Sequence, residues 1–144
     1  MSREALERSR DPMAYFAHDA NASQDVKCQR LLLRWGNEGY GAWWRMCEML
    51  AAETGHALRM ESEEDWEIVA AAIGMLGTPD DGFSKTDKCK AFIQDLLDIG
   101  LVTQDENHLI SSARMNKNAL YFGVQRANGA RGGRPRKGER QEAK

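Results

Sequence analysis

The sequence predicts a mainly α fold with a small β-hairpin: a winged helix, in which the hairpin is the wing of a helix-turn-helix core. Three observations predict it. Four segments between residues 25 and 99 carry apolar side chains at helical spacing. The period then changes at LVTQDENHLIS (101–111), where two short runs rich in Val, Leu and Ile flank the turn-forming DEN. Helical spacing returns from Arg114 to Asn128, with Met115, Ala119 and Phe122 inward. A chain of 144 residues suits one such domain, of roughly 100–120 residues, plus flanking segments.

The first periodic segment is DVKCQRLLLRWG, where Cys28, Leu31, Leu32 and Trp35 fall at i, i+3, i+4 and i+7. Ser23 is its expected N-cap and Gly36 its end. The turn GNEGYG leads into AWWRMCEMLAAETG, which has two apolar stripes: Trp43, Met46, Cys47 and Leu50, and Tyr40, Trp44 and Ala51. A helix apolar over that much of its circumference is either central or part of a subunit interface. A homo-oligomer is therefore expected, through Tyr40, Trp43, Trp44, Cys47 and Ala51.

HALRM reads as a short strand. Ser62 with Asp65 gives a capping-box start to a third helix, on which Trp66, Val69, Ala70 and Ile73 keep the period and Gly74 closes. Ser84 and Asp87 repeat the S-x-x-D start for a fourth, carrying Cys89, Phe92, Ile93, Leu96 and Leu97. Gly100 must supply the left-handed residue that reverses the chain into the wing, and Leu101 and Leu109 are expected to pin the wing strands to the core.

Charge is distributed unevenly. The chain holds 20 Lys+Arg against 22 Asp+Glu, yet from Arg114 to Lys144 there are nine basic and two acidic residues, a balance of +7. The remaining residues hold 11 basic and 20 acidic, a balance of −9. An acidic body with a basic tail points to an anionic partner. Arg126, Arg131, Arg134, Arg136 and Lys137 are separated mainly by Gly, Ala and Asn, a composition suited to following a phosphate chain and gaining affinity by counterion release. The bland alternative is a solubilising terminus. The expected organisation is a flexible arm over 1–12, the winged helix over 13–125 and a disordered basic tail over 126–144.

Lys85, Lys88 and Lys90 lie in the first turns of the expected recognition helix, where the helix N-terminus also favours phosphate. Gln94 is the outward amide suited to a base edge, while Asp87, Asp95 and Asp98 oppose the lysines. Duplex readout and a solvated or protein-contacting face both remain open for this helix. With Arg114 and Lys117, these residues complete the expected DNA-contacting set.

Other chemistries find little support. His18-Asp19 has only His56 and His108 as further imidazoles, so hydrogen bonding to local backbone is expected rather than metal binding or catalysis. GNEGYG neither follows a strand nor continues into Lys-Ser or Lys-Thr, so it reads as a close-packing turn rather than a phosphate loop. Cys28, Cys47 and Cys89 are far apart and none forms a CxxC pair, so they read as buried, reduced thiols. No metal, cofactor or catalytic set is expected. The charged start lacks the apolar core of a secretory signal and no window suits a bilayer, so a soluble cytoplasmic protein is expected.

The stretch YFAHDANASQDVKCQRLLLRWGNEGYGAWWRMCEMLAAETGHAL resembles the opening of the DnaD-like, phage replisome-organiser type of N-terminal domain. Tyr15, Phe16, His18 and Asp19 match its start, and Asp25 the Asp that opens its first helix. Gly36, Gly39, Tyr40 and Gly41 match its turn, and Trp44 and Glu48 its aromatic-rich helix. The likeness runs through the helix-Gly-Leu hairpin to ARGGRPRK, which resembles the family's basic linker, and so covers residues 13–137. It implies a winged helix used in replication initiation or primosome assembly, with DNA and replication proteins as partners. Members often continue past the linker into a further, helicase-contacting domain; the sequence here ends at Lys144, so the resemblance leaves a helicase-contacting role open.

Overall fold

The computed structural model describes residues 2–130. Five helices and three strands follow in order: α1 (Arg3–Arg8), α2 (Val26–Ala52), β1 (Ala57–Arg59), α3 (Glu63–Ile73), α4 (Asp87–Ile99), β2 (Thr103–Gln104), β3 (Leu109–Ser111) and α5 (Ala113–Ala130). The sheet is antiparallel in the order β1-β3-β2, with Leu58 opposite Ile110 and Thr103 opposite Ser111. A strand ahead of the helix pair thus joins the far strand of the wing. This is the mainly α, winged-helix arrangement that the sequence predicts.

Local chemistry explains most boundaries. Asp25, not Ser23, caps α2, its carboxylate accepting from the Lys27 and Cys28 amides at 3.0 and 3.4 Å. Ser23 is consumed in a 3₁₀ turn, Ala22–Gln24. At Gly36 (φ 62°, ψ −157°) the backbone leaves helical geometry inside α2, a conformation that essentially requires glycine. Gly39 serves close approach instead: a Cβ there would lie 2.2 Å from Trp35 Cβ. The box at α3 is complete, Asp65 N donating to Ser62 Oγ at 3.1 Å and Ser62 N to Asp65 Oδ2 at 2.9 Å. Helix α4 starts differently from expectation. Its cap is Thr86, whose hydroxyl donates to Glu63 on α3 and accepts from no amide of its own helix, while Ser84 bonds the Asp87 side chain. Gly100 adopts the left-handed geometry foreseen for it (φ 93°), and Leu101 N returns to Leu96 O at 3.0 Å. In the wing turn, Asp105 accepts from the Asn107 and Leu109 amides.

Trp43, Leu31, Met46, Leu50, Phe92, Ile93, Leu96, Ile110 and Met115 form the centre of one core. The wing is pinned by Val102 and Ile110, which are buried, whereas Leu101 and Leu109 are half-buried. The pattern of period alone could not tell these neighbours apart.

Both ends of the predicted domain shift. Residues 1–12, expected as a flexible arm, contain α1, which lies against α5. Its close seat depends on Gly123, where a Cβ would meet Ala5 O at 2.6 Å and Ser9 N at 2.7 Å. Arg126, expected to open the tail, is helical, and its guanidinium donates to Arg8 O at 3.1 Å and Pro12 O at 3.3 Å. Helix α5 therefore runs past residue 125, to Ala130. Arg131, Arg134, Arg136 and Lys137 lie outside the described residues. Among the described residues no helix is long and apolar enough to cross a membrane.

Candidate nucleic-acid interface

Helix α4 occupies the recognition position of the helix-turn-helix, but its cations are spent within the chain. Lys85 Nζ lies 3.1 Å from Glu67, and Lys90 Nζ lies 2.9 Å from Glu63 and 5.9 Å from the Trp66 ring centroid. Lys88 is gripped by Glu38 at 2.5 Å and Asp81 at 3.2 Å, and its side chain is only 13% exposed. These two carboxylates, Glu38 first, hold its ammonium above the ordinary lysine value against the opposing effect of burial. Gln94 donates to Asp98 on the same helix at 3.1 Å. The four residues expected to meet DNA, Lys85 ahead of α4 and Lys88, Lys90 and Gln94 on it, thus face carboxylates, and each would exchange an existing partner for a phosphate or base.

Helix α5 is the opposite case. None of its 18 residues, ARMNKNALYFGVQRANGA, is Asp or Glu. Arg114, Lys117, Asn118, Tyr121, Phe122, Gln125 and Arg126 recur at i, i+3, i+4, i+7, i+8, i+11 and i+12, which places them on one face. The segment 13–25 lies along this face. Ala17 N donates to Asn118 Oδ1 at 3.1 Å, and Arg114 donates to Ala17 O at 3.4 Å and to Asp19 Oδ2 at 3.1 Å. Two hollows open along the seam. One of about 660 Å³ is lined by Asp19, Asp25, Arg114, Lys117, Asn118 and Tyr121, among others. The other, of about 290 Å³, is lined by Ala14, Tyr15, Phe122, Gln125 and Arg126. Arg114 and Arg126 are partly compensated, by Asp19 and more distantly by Asp11 at 4.0 Å. Lys117 is exposed and has no ion pair among the described residues. The stripe was legible in the sequence as a helical segment without a carboxylate, although only Arg114, Lys117 and Arg126 of it were expected to bind.

Much of the apolar surface of α2 that the sequence assigned to an interface is covered within the chain, while Tyr40 and Trp44 stay half-buried. Trp43, Cys47 and Ala51 are 1–3% exposed within this chain alone. The segment leading from α1 covers the rest: Met13 N bonds Ala51 O at 2.8 Å, Phe16 stacks on Trp44 at 6.1 Å, and His18 stacks on it at 3.6 Å. Tyr40 meets Trp44 edge-on, and the Arg114 guanidinium lies 5.5 Å from the Trp44 centroid. The surplus apolar circumference read from the sequence is thus used to seat the N-terminal segment. The large apolar side chains that α2 leaves exposed are Val26 and Leu33.

The His18-Asp19 pair splits, the imidazole on Trp44 and the carboxylate on Arg114. Buried His56 places Nδ1 2.8 Å from Leu50 O and Nε2 3.0 Å from Ser9 O, a tie between α2 and the residue that ends α1. Among the described residues no group of three or more His, Cys, Asp or Glu side chains is placed to hold a metal ion.

The three cysteines are buried and free. Burial pushes the Cys47 and Cys89 thiols up to about 12. Because only the thiolate attacks, native protein should label slowly with thiol reagents and denatured protein at once. The unfolded chain ionises these thiols near the ordinary value of 9 while the folded chain does not, so their contribution to stability is complete below pH 9 and is lost as pH rises toward 12. Each costs up to about 1.4 kcal/mol per pH unit in that window. Urea melts at about pH 7 and about pH 10 should show Cys47→Ala losing less stability than the parent on the way up.

The fold and this surface define a winged-helix domain whose recognition helix is internally neutralised and whose following helix carries a carboxylate-free cationic stripe. The family described as Lin1244/Lin1753-like, N-terminal, matches residues 15–114, and the chain belongs to it. The match runs from Tyr15 to Arg114, the first cation of the stripe. No curated protein and no solved structure matches the chain.

Proposed function

We propose that the chain is a non-enzymatic, cytoplasmic DNA-binding module of the kind that assembles replication complexes, and that it holds DNA through the α5 face and the basic segment beyond it. The observation that carries this reading is the contrast between two helices. Lys85, Lys88 and Lys90 are each matched by a carboxylate. Helix α5 carries no carboxylate of its own, leaves Lys117 without an ion pair among the described residues, and is followed by six further Lys and Arg residues between positions 131 and 144. Contact of this kind is electrostatic and indifferent to base sequence.

The test is a titration of the full chain with labelled DNA of unrelated sequences at about 50 and about 200 mM salt. Each neutralised phosphate of a duplex should multiply the loss of affinity over that range by about 3.5, with all sequences affected alike. The second reading, a protein-contacting scaffold, is favoured by the acidic outward surface of α3 and α4, where Glu64, Asp87 and Asp98 stay exposed. Absence of DNA binding at the lower salt would transfer the assignment to it.

A further inference from the structure

We infer that the α5 face is built for single-stranded DNA, with Tyr15 and Tyr121 as its base-stacking residues. This rests on the DNA-binding reading above and goes further, by naming the form of the ligand. Tyr15 is 71% exposed and Tyr121 61%, large apolar areas for rings at the centre of a seam rather than at a chain end. Neither ring hangs free. Both abut Phe122, Tyr15 at 5.3 Å and 82°, Tyr121 at 5.4 Å and 73°. Edge contacts of this sort hold a ring in place and leave a face to solvent.

What surrounds the rings fits a nucleotide strand. Lys117 lies one turn before Tyr121 on the same face, and Arg126 lines the hollow that Tyr15 borders. The exposed Gln125 side chain has no hydrogen bond among the described residues, an amide open to a base edge. Of the acids along the seam, Asp19 and Asp25 sit at the α5 N-terminal end, and Asp11 lies 4.0 Å from Arg126 at the other end. The track most favourable to a polyanion runs from Lys117, which has no ion pair among the described residues, past the two tyrosines toward Arg126.

A duplex keeps its base faces stacked on one another and offers an aromatic side chain nothing to stack on. Unpaired bases do, and each base stacked on an aromatic ring is worth about 1–3 kcal/mol by alanine substitution. The helix that would enter a duplex groove in this fold is α4, whose cations are taken.

The experiment uses the full chain and three labelled probes of about 15 positions: oligothymidylate, an abasic strand of the same length and charge, and a duplex. Oligothymidylate should bind most tightly. Tyr15→Ala and Tyr121→Ala should each weaken it about tenfold while leaving the abasic strand and the duplex unchanged, and Tyr→Phe at either position should retain binding. Tyr121→Ala, at an exposed position of α5, guards against a result due to a displaced N-terminal segment. Alanine variants that bind oligothymidylate like the parent, or that lose all three probes equally, would overturn the stacking role and leave the DNA-binding reading standing. Failure of the parent to bind any probe at low salt would overturn both.

Discussion

Trp43→Ala should lower the free energy of unfolding by about 3–5 kcal/mol, the cost of emptying an aromatic-sized space in a packed core. Trp43 is 1% exposed and belongs to the central cluster with Leu31, Met46 and Phe92. Its near neighbour Trp44 provides the control. Trp44 carries His18, Phe16 and Arg114 on its surface, so Trp44→Ala should release the N-terminal segment while sparing the core. With a domain stability of about 5–15 kcal/mol and a urea slope of about 1–3 kcal/mol per molar, the Trp43 variant should show a midpoint lower by one molar or more. The Trp44 variant should instead show faster proteolysis ahead of residue 25 and a smaller midpoint shift. A Trp43 variant with unchanged midpoint but altered sedimentation would mean that this side chain serves association after all.

The same two tryptophans show where sequence reading stops. Their stripes were plain from spacing, but what covers a stripe depends on residues 13–18 returning from the N-terminus, and spacing carries no information about that. Signals that act within a few residues were legible. The Ser62–Asp65 box, the left-handed Gly74 and Gly100, the Asp105 turn and the change of period at residue 101 all stand in the structure. Features depending on distant partners were not. Helix α1 is six residues long with one buried side chain, Ala5, and its seat requires Gly123 on another helix. The α4 lysines were read against the aspartates of their own helix, whereas the carboxylates that hold them, Glu38, Glu63, Glu67 and Asp81, come from α2, α3 and the loop before α4. At α2 two capping residues competed, and the choice fell to Asp25 because its extended backbone aims the carboxylate at two free amides while Ser23 is already in a turn.

Ending the chain after Ala130 should cost more DNA affinity than any change on α4. The deletion removes six basic and two acidic residues, a net charge of +4, and leaves a body of 14 basic and 20 acidic residues. If most of those cations meet phosphates, the slope of log affinity against log salt should flatten by about 3–5 units, with the loss shared by all sequences. What binding remains should depend on α5, so that Lys117→Glu in the shortened chain removes it. The contrasting variant joins Lys85→Ala, Lys88→Ala and Lys90→Ala. It should melt at lower temperature, because Glu38 and Asp81 lose the cation between them and Glu63 its ion pair, yet its affinity for DNA per folded molecule should match the parent's. The two variants can be ranked in one titration series at a single low salt concentration. A shortened chain that binds as well as the parent, beside an α4 variant that no longer binds, would return the DNA to the recognition helix and remove the role assigned to α5.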